Sequence, residues 1–423
     1  MNENVRAVYE IETALPLEQV AAVMASEQSS GTFVAIARET AELKARHAAQ
    51  VAEVVELPPS GRPPLPGASG DWSAARRARV TIDFPLRNFG PSIPNLLAAV
   101  AGNLYEIREA GALKLIDLEL PDAFAQAYPG PAFGVAGTRR LAQRATGPVI
   151  GTIVKPSVGL SGEQLAQLVT ELAEAGIDFI KDDELQGDPE HLPFAERVHV
   201  VMDALHRVAD RTGKLPMYAF NLTGEIDDLK RRHDLVRDAG GTCVMAVIPS
   251  IGLAGLAHLR RHSELPIHGH RAGFGGYSRS PQTGIGFRAF QALARLAGAD
   301  HLHTNGVANK FYESDSEVLD SIRAVRAPLL GGYEMLPVLS SGQSAGLAHA
   351  TYAATGTDDL LVLAGGGIHG HPDGSGAGVR AMREAWDAAL SGEPLDSRAA
   401  IVPELAAAVA TFGRLDAAVS EAD

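Results

Sequence analysis

From about residue 148 onward, short apolar runs rich in β-branched residues alternate with stretches of helical period. This alternation predicts a parallel sheet whose strands are joined by crossover helices. Eight such runs can be counted, at 148–155, 179–184, 217–223, 242–248, 266–271, 300–305, 336–341 and 360–365. The helix after the first run can be checked position by position. Ser161 and Gln164 make a capping box, Leu165, Leu168, Val169 and Leu172 share one apolar face, and Gly176 ends it. Eight strand-then-helix units in roughly 250 residues match a (β/α)8 TIM barrel. The rival architecture is an open doubly wound sheet, but the first strand runs into Lys155-Pro-Ser-Val-Gly-Leu-Ser161 rather than a Gly-rich dinucleotide fingerprint.

The region before residue 135 has a different texture. Extended segments at 5–10 and 80–84 and helices at 17–27 and 93–101 predict a small α+β domain over 1–135. The barrel domain then covers 136–423, with an Ala-rich helical extension after about residue 375 that packs on the barrel. Residues 117–137, which include Pro129-Gly-Pro131, read as the loop-rich joint, and 58–70 as a surface loop inside the first domain. A chain of 423 residues, 46% of them hydrophobic, is comfortable as two domains. Its net charge of −14 disfavours nucleic acid or an anionic membrane as partner, while a local basic pocket can still take a phosphorylated metabolite. No apolar run reaches the length of a membrane span, and residues 1–14 are too polar for a signal peptide, so a cytoplasmic location is expected. The one cysteine, Cys243, begins the run Cys-Val-Met-Ala-Val-Ile and is expected to pack in the core.

The unusual polar residues collect at the predicted strand ends, where barrels build their active sites. Strand two ends at Lys181-Asp-Asp-Glu184. Side chains alternate in a strand, so Lys181 and Asp183 share a face, Asp182 points the other way, and Glu184 sits where the chain leaves the sheet. Carbon dioxide adds to a neutral amine of depressed pKa to give an anionic carbamate. Lys181, Asp183 and Glu184 would then offer oxygen to a magnesium ion. The plain alternative is a solvated charge cluster. The other ends carry Lys155-Pro156, Asn221, His268-Gly-His-Arg271, His301-Leu-His303, Ser340-Ser-Gly342 and Gly365-Gly-Gly367, so seven of the eight ends are decorated. Each histidine pair alternates onto one face, with its outer member toward substrate, and histidine suits proton transfer near neutral pH. A histidine-bound zinc is a rival, yet the acids at strand two already supply the oxygen ligands magnesium prefers. Arg271 offers a bidentate fork for phosphate, and the amides of the glycine run lie where barrels commonly hold one. Lys155 suits proton transfer because a barrel mouth favours a neutral amine. A phosphorylated sugar derivative is the expected substrate.

In order and spacing, Gly151-Thr-Ile-Val-Lys-Pro-Ser-Val-Gly-Leu-Ser161, Lys181-Asp-Asp-Glu184, His268-Gly-His-Arg-Ala272, Asp300-His-Leu-His303, Leu336-Pro-Val-Leu-Ser340 and Gly365-Gly-Gly367 through Gly370-His-Pro372 resemble the RuBisCO large chain. So do Glu27-Gln-Ser-Ser-Gly-Thr32 and Gly102-Asn103. The resemblance covers nearly the whole chain. It implies an α/β protein with an N-terminal α+β ferredoxin-like domain, a C-terminal barrel, a carbamylated Lys181 and one Mg2+ held by Lys181, Asp183 and Glu184. It also implies a homodimer in which Glu27, Thr32 and Asn103 of one chain complete the site of the other. Lys155 matches the family's enolising lysine. His270, Arg271, His303, Ser340, Gly342, Gly365 and Gly366 match its substrate and phosphate contacts, and Lys310 matches the mobile-loop lysine that meets a carboxyl group.

The chain departs from carboxylating members around the substrate: Ser157 replaces a lysine, Ile153 a threonine, Asn305 and Ser341 glycines, and Phe274 a histidine. A bulkier, less basic lining points to the RuBisCO-like proteins, which keep enolisation chemistry on other substrates. Asn103 stands where the methionine-salvage enolases carry a lysine base, and Lys310 favours a substrate or product bearing a carboxylate. The expected activity is a magnesium-dependent carbon–carbon lyase, similar to the decarboxylases of 3-oxo-isoapionate 4-phosphate. The alternatives are an enolase or isomerase of methylthioribulose-type phosphates and a catalytically silent binding protein.

Overall fold

The structure is a computed structural model and describes residues 3–31 and 36–415. Its strands are, in chain order, β1 (Asn4–Thr13), β2 (Gln50–Leu57), β3 (Arg76–Pro85), β4 (Ala112–Glu119), β5 (Val149–Ile153), β6 (Phe179–Lys181), β7 (Met217–Asn221), β8 (Cys243–Val247), β9 (Ile267–His270), β10 (Thr283–Ile285), β11 (His301–His303), β12 (Leu336–Leu339) and β13 (Leu361–Leu363). They form a five-stranded sheet, in the order β10-β4-β1-β3-β2, and a closed eight-stranded barrel.

The alternation of the first segment dictates the five-stranded sheet. Val5, Ala7, Tyr9 and Ile11 fall on one face of β1 and are buried, with partly exposed residues between them. β1 pairs antiparallel with β3, placing Tyr9 opposite Val80, and with β4 on its other edge. The helices Leu17–Glu27 and Ile93–Ala101 form where the apolar period predicts them. Three strands, β2, β4 and β10, were not legible. β2 (Gln-Val-Ala-Glu-Val-Val-Glu-Leu) is an exposed edge strand with no buried position, so it lacks the one-sided apolar pattern. β4 takes in Asp117–Glu119, which had read as part of the loop-rich joint; pairing with β1 overrides the local turn signal there. The compact unit built on this sheet comprises the residues up to 129 together with 273–297 and 329–332. The segment 273–297 adds β10, parallel to β4, and the helix Phe287–Leu296.

The second unit holds the barrel, whose eight parallel strands are the eight runs counted in the sequence. Each observed strand is shorter than its run by one or more residues at its C-terminal end. Those last residues leave the ladder to form the mouth, and they are the ones bearing the polar groups. Val149, Phe179, Met217, Cys243, Leu336 and Leu361 fill the barrel interior. Burial pushes the Cys243 thiol pKa well up and leaves the group inert. The capping box of Ser161 and Gln164 starts the helix Gly162–Glu174, which buries Leu165, Val169 and Leu172, with Leu168 at the margin. In the C-terminal extension the helix Ser375–Ser391 buries Trp386. Among the described residues no helix is long and apolar enough to cross a membrane.

Candidate active site

Strand alternation delivers the geometry expected at the end of β6. Lys181, with a fully buried side chain, lies with its Nζ 3.5 Å from Glu184 Oε2 and donates to the Asp182 carbonyl at 2.7 Å. Desolvation lowers its amine pKa against the opposing pull of Glu184, Asp183 and Asp182. A neutral fraction is what carbamate formation requires, and the flanking carboxylates are the right donors for a hard cation. The residues present therefore fit the carbamate-and-magnesium set that the sequence implies. Asp183 is buried and accepts from Lys155 Nζ at 2.7 Å. Lys155 also donates to Ser157 Oγ at 2.7 Å. Asp182 points away from this group. Its carboxylate accepts from Tyr218 Oη at 2.6 Å, Arg197 Nε at 3.2 Å and the Asn221 amide at 2.8 Å. The four-residue string thus splits into three groups aimed at one site and one that braces it.

The four strand histidines form a contiguous cluster. His270 Nε2 stands 3.4 Å from Glu184 Oε2, and its Nδ1 accepts from the Ala272 amide at 3.1 Å. His268 contacts His303 (Nε2 to Nε2, 2.8 Å) and His301 (Nδ1 to Nδ1, 3.3 Å), and His303 Nδ1 lies 3.0 Å from Ser340 Oγ. His268 and His301 are fully buried inside the barrel, so only His270 and His303 are placed to meet a ligand. Desolvation depresses the pKa values of His268, His270 and His303 well below the usual imidazole range and takes His301 to about 3. These rings are neutral when folded at neutral pH but protonate in the unfolded chain below about pH 6.5. The unfolded state therefore binds more protons as pH falls, and stability declines from about pH 6.5 downward. Each such histidine contributes about 1.4 kcal/mol per pH unit. Urea midpoints between pH 7.5 and 5 should fall accordingly, with a shallower decline in His301→Gln; midpoints that do not move across this range contradict the assignment.

At the remaining strand ends, the left-handed backbone positions are informative. Asn305 (φ 61°) and Ser341 (φ 70°) adopt a conformation that favours glycine, at the two positions where the sequence comparison expects glycine. Their side chains stabilise one another, because Ser341 Oγ donates to Asn305 Oδ1 at 2.8 Å. Asn305 Nδ2 in turn donates to Glu313, whose carboxylate also takes both terminal nitrogens of Arg271, with Nη1 to Oε1 at 3.0 Å. The Arg271 fork is thereby closed on an acid that sequence reasoning missed; Glu313 lies in an irregular loop with no periodic signal. Gly365 adjoins Lys155, since a Cβ there would stand 3.7 Å from Lys155 Cε, and Gly366 follows it at the start of a single helical turn. Gly367 must lack a side chain because a Cβ would fall 2.3 Å from the Gln343 carbonyl. Lys310 is exposed. Its amide donates to the Ser341 carbonyl at 3.1 Å beside Gly342, and its Nζ lies 5.3 Å from the Phe311 ring centroid.

Phe274, expected in the substrate lining, is instead buried against Phe290 with ring centroids 4.4 Å apart, because its segment belongs to the apolar interior of the first unit. In that unit Asn103 Nδ2 stands 3.5 Å from Glu27 Oε1, and both side chains are exposed. Thr32 lies outside the described residues. A separate cluster of His233, Asp234 and His262 has the spacing of a metal site, but its donors are already committed. His233 Nε2 accepts from the Glu264 amide at 3.2 Å, which leaves Nδ1–H to donate to Asp234 at 3.0 Å.

Comparison with known proteins agrees with this geometry. Residues 134–412 match the family model described as the ribulose bisphosphate carboxylase large chain, catalytic domain, and residues 2–124 match that of its N-terminal domain. The chain is 51% identical over 411 residues to a 3-oxo-isoapionate-4-phosphate transcarboxylase/hydrolase of Xanthobacter autotrophicus, covering 97% of this chain and 99% of that one. It is 43% identical to a 3-oxo-isoapionate-4-phosphate decarboxylase of Rhizobium rhizogenes, covering 97% and 98%. The crystal structure of a rubisco-like protein from Burkholderia fungorum superposes with a TM-score of 0.90 at 44% identity, covering 97% of this chain and all of that one.

Proposed function

The chain belongs to the RuBisCO large-chain family, and from that premise we propose that it is a decarboxylase of a phosphorylated 3-oxo sugar acid of the 3-oxo-isoapionate 4-phosphate type. The observation that carries this reading is the buried, pKa-lowered Lys181 amine set against Glu184, with Asp183 held by Lys155 beside it. The relatives that bear the decarboxylase and transcarboxylase/hydrolase names add the substrate class. Lys181 as its carbamate, Asp183 and Glu184 would hold Mg2+, which when bound supplies Lewis-acid stabilisation to a developing oxyanion.

The residues of the chain account for the other steps. Loss of carbon dioxide breaks the bond between the carboxyl carbon and its neighbour, and the electron pair remains on the substrate as an enediolate. One proton must then be returned to that carbon. Lys155, at the mouth between Asp183 and Gly365, is positioned to return it. His270, kept neutral by burial, offers its Nε2–H to a substrate oxygen without adding charge, and His303, held between His268 and Ser340, bears on the substrate through Ser340. Lys310 meets the carboxylate, and the amides around Gly342, Gly365 and Gly366 take the phosphate. Arg271 reaches a phosphate only by exchanging Glu313 for it. Glu27, Thr32 and Asn103 complete the site of a second copy in a homodimer; the exposed pairing of Glu27 with Asn103 supports this role.

With magnesium and bicarbonate present, the purified protein should turn over 3-oxo-isoapionate 4-phosphate, and a chelator should stop it. Turnover of a methylthioribulose phosphate alone would move the assignment to an isomerase. Failure on both, with ligand binding that survives Lys181→Ala, would leave a silent binding protein. The 51% identity to a transcarboxylase/hydrolase favours one second reading, in which the same carbon–carbon bond breaks but the carboxyl group is not released as carbon dioxide.

A further inference from the structure

Beneath the site runs a line of five side chains, Thr138, His301, His268, His303 and Ser340, each within hydrogen-bond distance of the next. Thr138 and the first three partners along the line are almost wholly buried, and Ser340 is 7% exposed. We propose that Thr138, at the N-terminal end of the barrel strands, fixes the direction of every hydrogen bond in this line and thereby makes Ser340 a hydrogen-bond acceptor toward substrate.

The direction follows from donor counting. Thr138 Oγ stands 2.6 Å from the Gly134 carbonyl, a group that only accepts, so the hydroxyl proton lies there. Its oxygen, 2.7 Å from His301 Nε2, must therefore accept, and His301 carries its proton on Nε2. A neutral His301 then has a bare Nδ1, which accepts from His268 Nδ1–H. His268 in turn has a bare Nε2, which accepts from His303 Nε2–H. The Nδ1 of His303 is left as an acceptor, and the hydroxyl of Ser340 donates to it. One threonine at the far end thus settles three tautomers and one hydroxyl rotor. The anchor is itself held, because the Asp300 carboxylate accepts the amides of Phe133 at 2.6 Å and Gly134 at 3.1 Å, where the helix Gly134–Leu141 bearing Thr138 begins. At the other end Ser341 spends its proton on Asn305. Both serines of the Ser-Ser-Gly turn therefore present oxygen lone pairs, and the substrate group they meet must be a donating hydroxyl rather than a carboxylate or phosphate oxygen. Thr138 is a positioning residue, acting through the histidines.

The direction of the line is a property of the fold alone. Its consequence for substrate rests on the function proposed above, and the two can be tested separately. Neutron diffraction from crystals of the deuterated wild-type protein should place deuterium on Nε2 of His301 and His303 and on Nδ1 of His268; deuterium on Nδ1 of His303 overturns the proposal. Thr138→Val, which removes the hydroxyl at constant volume, should lower kcat/KM about tenfold. Thr138→Ser should restore it to within about twofold. Equal activities in the three proteins, with the neutron order intact, overturn the consequence for substrate. A wild-type protein inert toward the sugar acid sinks the functional reading while leaving the neutron result to judge the line.

Discussion

Lys181→Met abolishes turnover, lowering kcat by at least about a thousandfold, while the protein remains folded. The amine is fully buried, lowered in pKa by desolvation, and adjacent to two carboxylates aimed the same way. Methionine keeps the volume and removes the nitrogen, so no carbamate forms and the metal set loses a ligand. Stability should hold or rise, because a buried ammonium is replaced by an apolar chain and Glu184 is one-third exposed to solvent. Two measurements check this: a kinetic assay, and 13C NMR of protein equilibrated with labelled carbon dioxide, which should show a carbamate signal in the wild type and none in the variant. A variant retaining more than a tenth of wild-type turnover would exclude Lys181 from the chemistry.

Asp182→Ala should instead unfold the barrel more easily with no direct loss at the metal set. The Asp182 and Arg197 side chains are fully inaccessible to solvent and 3.2 Å apart. Removing one partner leaves a buried guanidinium uncompensated, which costs about 3–5 kcal/mol. Tyr218, whose phenol is held well above its usual pKa by burial and by Asp182, and the Asn221 amide would lose an acceptor as well. The expected drop in melting temperature is roughly 5 °C. The double variant Asp182→Leu with Arg197→Met should recover most of it, because a well-packed apolar pair replaces the charges. A single-variant loss under about 1 kcal/mol would show that the network does not brace the barrel. Adjacent acids of one short string are thus expected to part company, Asp182 governing stability and Asp183 activity.

That division shows what the sequence can and cannot disclose. Period-two alternation places Lys181 and Asp183 on one side and Asp182 on the other, and the structure follows it. The barrel was legible for the same reason: its strands are continuous apolar runs, each ending in residues that no core would keep. β2 escaped because an exposed edge strand carries no one-sided pattern, and β4 because its final residues resemble a linker. Phe274 was misplaced because a position inferred from a motif says nothing about which unit its segment joins. Glu313 and Thr138 were invisible for another reason. Each acts on the site through a hydrogen bond or ion pair to a residue far along the chain, His301 for Thr138 and Arg271 for Glu313, and no local pattern encodes such a partner.

The central claim is that the Lys181, Asp183 and Glu184 platform supports release of a substrate carboxyl group, with Lys155 returning the proton. The most direct test follows 3-oxo-isoapionate 4-phosphate labelled with 13C in its carboxyl group by NMR, in the presence of magnesium and the purified protein. Appearance of the label as free carbon dioxide and bicarbonate, lost in Lys181→Met, is the predicted result. Label retained in an organic acid product, with none appearing as bicarbonate, would contradict decarboxylation and assign the chain to carboxyl transfer.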